Sequence, residues 1–120
     1  MKFSFLLYAL KIKIQKAAKK SAEFKEHLKE KNFTLVIKTA DGKRGRFFTF
    51  LNGDVISKKG DDTNANVSLI WKDADSAFKI MASGNNEETM KALQNGILKL
   101  EGDAQLALWF TGTIKMMMKA

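Results

Sequence analysis

The sequence predicts an α+β fold with a mainly antiparallel sheet, and three of its features lead to that prediction. Segments with helical periodicity stand near both ends of the 120-residue chain, and segments that alternate apolar and polar residues fill the middle. Asp41-Gly42 and Asn52-Gly53 separate the first alternating segments and are typical hairpin turns. Strands that are joined by hairpins and segregated from helices indicate an α+β domain, and this length suits a single one.

The first 31 residues are predicted to be helical and basic. They hold nine lysines and three glutamates, a net charge of +6, whereas residues 32–120 contribute only +2 of the total of +8. Over residues 2–20 an apolar stripe recurs at helical spacing, and it consists of Phe3, Leu7, Leu10, Ile14 and Ala17. A second helix is predicted over residues 22–31. Either Ser21 caps it, or the two helices continue into each other with a bend.

Five strands are predicted from residue 32 onward. Four lie before residue 72. The segments at 33–38 and 67–71 alternate apolar and polar residues, 46–51 is the returning strand after Asp41-Gly42, and 55–57 is a short strand after Asn52-Gly53. Asp73 can cap a following helix, and a short helix over 87–94 ends at Asn95-Gly96. A fifth strand then contains Leu98 and Leu100. The predicted division of the chain is a basic helical region over 1–31 and a second region over 32–120.

The final helix is the most informative element. Asp103 is its expected N-cap, and the run from Ala104 to Met118 carries almost no charge before Lys115. A helix that is apolar nearly all round must be buried on several sides or cover something apolar. Because a chain of 120 residues has little protein with which to surround it, a bound lipid is a candidate for the missing neighbour.

The sequence contains few features that are typical of enzymes or metal sites. The chain has no cysteine, and it lacks the HExxH, P-loop, nucleophile-elbow and GxGxxG motifs. The single histidine, His27, lies on a lysine-rich helix and is expected to be solvated. Asp61-Asp62 and the Asp73-Ala74-Asp75 segment fit loop solvation and helix capping better than metal binding. The sequence therefore predicts no enzyme activity, no metal and no cofactor.

The basic residues raise the question of whether the protein binds nucleic acid. Arg44 and Arg46 stand beside Phe47, Phe48 and Phe50, an interleaving of basic and aromatic residues that nucleic-acid-binding surfaces use. However, this region is nearly neutral overall, and aromatic residues on both sides of one strand indicate burial. No nucleic-acid partner is predicted. The apolar run from Phe3 to Leu10 is also too short to span a bilayer, so a cytoplasmic location, peripheral to the membrane at most, is expected.

Residues 65–118 resemble the sterol carrier protein type-2 superfamily. The resemblance is carried by Ala65–Leu69, by the string Gly96-Ile97-Leu98-Lys99-Leu100-Glu101-Gly102-Asp103, and by Leu106-Ala107-Leu108 behind it. More loosely it extends back to about residue 30. It implies a mixed five-stranded sheet, helices packed on one face, and an apolar tunnel that the C-terminal helix closes. Relatives bind sterols, fatty acyl chains, phospholipids or isoprenoid quinone intermediates, and many have no catalytic activity.

The predicted function is non-catalytic binding of a hydrophobic lipid, for transfer or for presentation. The alternative is an accessory or scaffold protein for enzymes of lipid or quinone biosynthesis. The residues predicted to contact the lipid are Phe48, Phe50, Leu69, Trp71, Phe78, Met81, Leu98, Leu100, Leu106, Trp109, Phe110, Thr113 and Met117. Methionines suit such a wall because their side chains adapt to variable chains.

Three roles remain open for the basic N-terminal helix. Its lysines can contact an anionic membrane surface, and the four predicted to do so are Lys2, Lys13, Lys16 and Lys20. Its apolar stripe can instead pack on the outer face of the sheet, where Val36, Ile70 and Ile97 offer apolar side chains. The third role is pairing with a second copy of the chain in a homodimer.

Overall fold

The computed structural model describes residues 2–62 and 64–119, and within them the chain forms five helices and five strands. In chain order these are α1 (Lys2–Lys20), α2 (Ala22–Leu28), β1 (Phe33–Thr39), β2 (Gly45–Leu51), β3 (Asp54–Lys59), β4 (Val67–Trp71), α3 (Ala74–Ser83), α4 (Asn86–Gln94), β5 (Leu98–Gly102) and α5 (Ala104–Lys119). The predicted order of elements is confirmed. The second helix is shorter than predicted, because it ends at Leu28.

The five strands form one sheet in the order β3-β2-β1-β4-β5. All neighbouring pairs are antiparallel except β1 and β4, which run parallel. The parallel pair arises because the chain leaves the β3 edge, passes β1 and β2, and enters the sheet again on the far side of β1. Leu35 faces Phe48 on one neighbouring strand and Val67 on the other. The prediction of a mainly antiparallel, mixed five-stranded sheet is confirmed.

The helices and the main hydrophobic core lie on one face of the sheet, called the inner face here. On β1 the side chains of Phe33, Leu35 and Ile37 point to this face, in the same buried cluster as Phe3 and Leu7 of α1. The neighbouring Val36 points to the opposite face, because successive strand residues alternate. The prediction that α1 packs on the outer face, over Val36, Ile70 and Ile97, is therefore wrong.

The composition of the two faces explains this choice. The inner face offers α1 a row of large apolar side chains, including Phe48 and Phe50. The outer face alternates apolar residues with Thr34, Lys38 and Thr49, and a helix laid there would bury polar and charged groups without partners.

Side-chain caps define several helix starts. Ser21 Oγ accepts a hydrogen bond from Phe24 N at 3.1 Å, so α1 and α2 are separate helices rather than one bent helix. The Asp73 carboxylate accepts from Ser76 N at 2.7 Å, and this bond lowers the pKa of Asp73 below its usual value. Asp103 accepts from Gln105 N at 3.0 Å. The predicted caps at Asp73 and Asp103 are confirmed.

Gly102 allows β5 to pass very close to the start of β4. Its φ is 96°, and a β-carbon at this position would collide with the backbone oxygen of Asn66. The same Asn66 oxygen accepts a hydrogen bond from Asp103 N at 3.0 Å. The glycine is therefore required by the backbone conformation and by the close packing, and it sets the position from which α5 begins.

We expect Gly102→Ala to lower the free energy of unfolding by at least about 2 kcal/mol, because it combines an unfavourable φ with a backbone clash. Gly112 supplies the matched control. It lies in α5, and a β-carbon there meets nothing within 4 Å. Gly112→Ala should therefore raise stability by about 0.5–1 kcal/mol. Urea denaturation of both variants tests the pair, and equal effects of the two substitutions would contradict this account.

Candidate functional site

Helix α5 lies on the inner face of the sheet and presents one side to the core. Ala107, Phe110 and Thr113 are buried on that side, whereas Leu108 is 69% exposed on the other. Leu106, Trp109 and Met117 flank the buried side and pack against the core while remaining partly exposed. The 3- and 4-residue spacing of these positions places them on one helix face. This face is the wall of the candidate site.

Aromatic rings fill the space between α5 and the sheet. Trp109 meets Phe33 and Phe50 edge-on, with ring centroids 5.4 and 5.5 Å apart. Phe110 lies 6.1 Å from both Phe48 and Phe50, and Phe33 stacks on Phe50 at 5.1 Å. These distances are those of favourable aromatic contacts. The five rings, Phe33, Phe48, Phe50, Trp109 and Phe110, are called the aromatic cluster below.

His27 belongs to this site, and the expectation that it is solvated is wrong. Its side chain is only 21% exposed. The imidazole stacks on the indole of Trp109 with centroids 4.9 Å apart and planes 7° from parallel. Its Nε2 lies 2.7 Å from Thr113 Oγ1, and its Nδ1 lies 3.7 Å from Glu30 Oε2. His27 therefore joins α2 to α5.

The hydrogen bonds of Thr113 fix the role of the imidazole. Thr113 Oγ1 lies 2.8 Å from the backbone oxygen of Trp109, which can only accept, so the hydroxyl proton is directed there. The same oxygen then accepts from His27, and Nε2 carries the proton. Thr113 is fully buried, and this arrangement satisfies both partners.

Two indole N–H groups have no such partner. Among the described residues, Trp71 Nε1 and Trp109 Nε1 are buried and donate no hydrogen bond. A buried donor without an acceptor is destabilising by about 1–3 kcal/mol. Trp109 lies beside His27, whereas Trp71 lies at the end of β4, paired with Leu98 of β5. The candidate site thus contains an unused hydrogen-bond donor.

Most residues predicted to contact a lipid lie around the inner face. The buried ones are Phe48, Phe50, Trp71, Leu98, Phe110 and Thr113. The partly buried ones that pack against the core are Leu69, Met81, Leu100, Leu106, Trp109 and Met117. Phe78 lies elsewhere, with Lys2 Nζ 5.8 Å from its ring centroid. Two residues of the site are missing from the predicted set. Phe33 was predicted only as a strand residue, although it contacts Trp109, and His27 was expected to be solvated.

Two open grooves lie on the surface of the described part of the chain. One, of about 330 Å³, is lined by α1 and the β2–β3 edge and includes Tyr8, Arg46 and Lys59. The other, of about 300 Å³, lies near Lys38 and Glu101. None of the residues predicted to contact a lipid lines either groove. A lipid bound between α5 and the inner face would occupy the place where rings of the aromatic cluster meet in this structure.

The outward side of α1 carries the predicted membrane lysines. Lys2, Lys13, Lys16 and Lys20 are all exposed. Phe5 and Tyr8 are on the outward side too, 71% and 48% exposed. Lys11 Nζ and Arg46 Cζ lie 5.4 and 5.5 Å from the centroid of the Tyr8 ring. Exposed aromatic side chains among cationic ones are therefore concentrated on this surface.

The described part of the chain contains no group of three or more His, Cys, Asp or Glu residues placed to hold a metal ion. Likewise, none of the helices that the structure describes is long and apolar enough to cross a membrane.

The fold and the site together define a single-domain α+β protein in which a C-terminal helix covers an aromatic core on one face of a mixed sheet. The model of the SCP-2 sterol transfer family matches residues 11–115. The chain therefore belongs to the SCP-2 sterol transfer family, a family of lipid-binding and lipid-transfer domains. None of the curated proteins matches the sequence.

Solved structures show the same fold at low sequence identity. The UbiJ-SCP2 ubiquinone synthesis protein is 12% identical, with a TM-score of 0.72 over 97% of this chain and 93% of that chain. Sterol carrier protein 2 from Yarrowia lipolytica is 19% identical, with a TM-score of 0.63 over 88% of this chain and 87% of that chain. A sec-alkylsulfatase from Pseudomonas sp. is 20% identical, with a TM-score of 0.53 over 72% of this chain. The match spans only 13% of the sulfatase, so there the fold forms part of a larger enzyme.

We expect Thr113→Val to lower the free energy of unfolding by about 1–2 kcal/mol, because it leaves the His27 Nε2–H without its acceptor. Combining it with His27→Phe, which retains a ring against Trp109, should cost less than the sum of the two single substitutions. Chemical denaturation of the two single variants and the double variant measures this coupling. Strict additivity would show that the two side chains do not interact.

Proposed function

We propose that the protein binds a hydrophobic lipid between α5 and the inner face of the sheet, and transfers or presents it without catalysis. The observation that supports this most is the composition of that interface. Aromatic rings from β1, β2 and α5 meet there, and Met81 and Met117 pack against the same core. Such side chains offer an acyl or isoprenoid chain an apolar and adaptable surface.

The energetics favour exchange of ring contacts for lipid contacts. Four ring pairs join α5 to the sheet and, at about 1 kcal/mol each, contribute roughly 4 kcal/mol beyond simple burial. Burial of a sixteen-carbon chain offers about 12 kcal/mol at ~0.8 kcal/mol per methylene. Entry of the chain from water can therefore offset the separation of the rings. Entry from a bilayer is closer to balance, which is what a reversible carrier requires.

Phe110→Asp should abolish lipid retention, since it places a carboxylate within the proposed contact surface, where Phe110 is buried. Leu108→Asp is the matched control, because Leu108 lies two residues away on the exposed side of the same helix. Native mass spectrometry of gently purified protein measures the bound lipid. Circular dichroism establishes that each variant is folded.

The half-buried Met117 allows a second substitution at the margin of the site. If Phe110→Asp fails to fold, Met117→Glu supplies the same test with less disturbance of the core. Normal retention by a folded variant of either kind would contradict the proposed site. Loss of lipid from Leu108→Asp would show that the effect depends on charge and not on position.

We further propose that α1 docks on an anionic membrane surface with its outward side. Its apolar stripe is not available for docking, because Phe3, Leu7 and Ile14 are buried in the core. Phe5 and Tyr8 are exposed instead, with Lys13 and Lys16 farther along the same helix. Aromatic side chains at the headgroup level and lysines over anionic lipid are favourable on a membrane surface.

The two predicted regions of the chain would then have different functions. Residues 1–31 would meet the membrane, and residues 32–120 would hold the lipid. They remain coupled in folding, because the buried stripe of α1 and the strands share one core.

Lys13→Glu combined with Lys16→Glu should weaken binding to anionic vesicles by at least about 30-fold, given about 1 kcal/mol for each lysine. Lipid retention in solution should not change. The matched control is Lys72→Glu with Lys99→Glu, which makes the same change of charge at two exposed positions outside α1. Vesicle co-sedimentation measures the binding, and an equal loss in both variants would contradict docking through α1.

A second candidate function is suggested by the UbiJ-SCP2 ubiquinone synthesis protein, whose structure matches over nearly the full length of both chains. The protein would then act as an accessory factor that presents an isoprenoid quinone intermediate to biosynthetic enzymes. Both candidates use the same apolar site and differ in its ligand. Organic extraction of the purified protein, followed by identification of the lipid, distinguishes them.

A further inference from the structure

Polar groups occur at one place in the otherwise apolar interface beneath α5. His27, Trp109 and Thr113 meet there, and we propose that they form the subsite for the polar head of the bound lipid. The proposal extends to ligand class: the head must offer a hydrogen-bond acceptor oxygen, as a carbonyl or a carboxylate does. The inference rests on the lipid-binding function proposed above.

The unpaired indole determines the kind of head. Trp109 Nε1 is buried and has no hydrogen-bond partner among the described residues. An indole N–H can only donate, so the group that satisfies it must accept. An ammonium head offers donors alone and would leave this N–H unpaired. A carbonyl or carboxylate oxygen would remove the penalty of a buried unpaired donor.

The neighbouring side chains supply further donors. The proton on His27 Nε2 points to Thr113 Oγ1 at 2.7 Å, and the Thr113 hydroxyl donates to the Trp109 backbone oxygen at 2.8 Å. The Thr113 hydroxyl can turn toward an incoming oxygen, because a hydroxyl rotates and its carbonyl acceptor also serves the helix backbone. The stack of His27 on Trp109 keeps these donors together.

The location of the subsite fits the orientation that a lipid would adopt. The His27 side chain remains 21% exposed, and the neighbouring Glu30 is 59% exposed, so His27 connects the buried polar groups of Thr113 and Trp109 with the surface. Phe50 and Phe110 lie on the inner side of Trp109, within the aromatic cluster. A head near His27 would direct its hydrocarbon tail toward these rings.

Trp71 provides an internal comparison. Its Nε1 is also buried and unpaired among the described residues. However, its partners across the sheet are Thr39 and Leu98, and no histidine stacks on it in the described part of the chain. Trp71→Phe and Trp109→Phe thus remove the same N–H group from two different places in the fold.

The experiment is a competition between methyl hexadecanoate and heptadecane, which have the same number of carbon atoms. Neither is charged, so the net charge of +8 does not bias the result. Both are loaded together from cyclodextrin, and native mass spectrometry gives the ratio of bound ester to bound alkane. The ratio is an internal measure, because partial loss of folded protein affects both ligands equally.

Trp109→Phe should lower the ratio of ester to alkane about five-fold, which corresponds to the loss of one neutral hydrogen bond. Trp71→Phe should leave the ratio unchanged. Equal ratios in the wild type and in Trp109→Phe, with both ligands bound, would overturn the head-group assignment while leaving lipid binding intact. Equal loss of selectivity in both variants would also overturn it. Failure of the wild type to retain either ligand would refute the proposed function itself.

A second measurement requires no variant. Methyl hexadecanoate labelled with ¹³C at the carbonyl should show a lower carbonyl stretching frequency when bound than in heptane solution, because the oxygen accepts a hydrogen bond. An unshifted band for the bound ester would overturn the assignment even if Trp109→Phe does not fold.

Discussion

The packing of α5 against the inner face of the sheet is the contact on which the rest of the structure depends. A sheet with helices on one face has a single core, and here that core is closed by the rings of Trp109 and Phe110 meeting those of β1 and β2. The position of α5 is set by the two residues that precede it. Gly102 brings β5 against the Asn66 backbone, and Asp103 then caps the helix. A substitution at Gly102 or Asp103 would therefore shift α5 and alter the site, although neither residue contacts the aromatic cluster.

Helix α1 carries apolar residues on two sides, and this connects stability with the proposed docking. Phe3, Leu7 and Ile14 are part of the core, while Phe5 and Tyr8 remain exposed. The buried stripe fixes the orientation of the helix, and so fixes which side faces outward. A helix that inserted its principal apolar stripe into a membrane would have to leave the core. The outward residues allow membrane contact while the fold stays intact.

Local sequence patterns predict the elements of this fold well, because alternation, helical spacing and capping act within a few residues. Strand alternation predicted β1 around Leu35, and the caps at Asp73 and Asp103 were recognisable from single residues. Local patterns do not predict the parallel pairing of β1 with β4 or the environment of His27, because both depend on residues that are far apart in the sequence. His27 bonds to Thr113, 86 residues away, and the pattern of α2 contains nothing about α5. The side of the sheet that α1 covers likewise depends on the residues of both α1 and the sheet. That helices pack on one face of the sheet was predicted from the family resemblance and not from the local sequence pattern.

Contact between the rings of the aromatic cluster is more favourable than an empty site of the same size would be. A dry cavity costs about 24 cal/mol for each Å³, so an unfilled tunnel of ~300 Å³, at the lower end for a ligand site, would cost about 7 kcal/mol. That is comparable with the whole stability of a typical domain. Rings that meet one another avoid this cost, and they can return as the lipid leaves. With the function proposed above, ring contacts that separate for a ligand would reconcile a stable fold with an apolar site. A donor such as Trp109 Nε1, unpaired while the rings are together, would then favour a ligand that satisfies it.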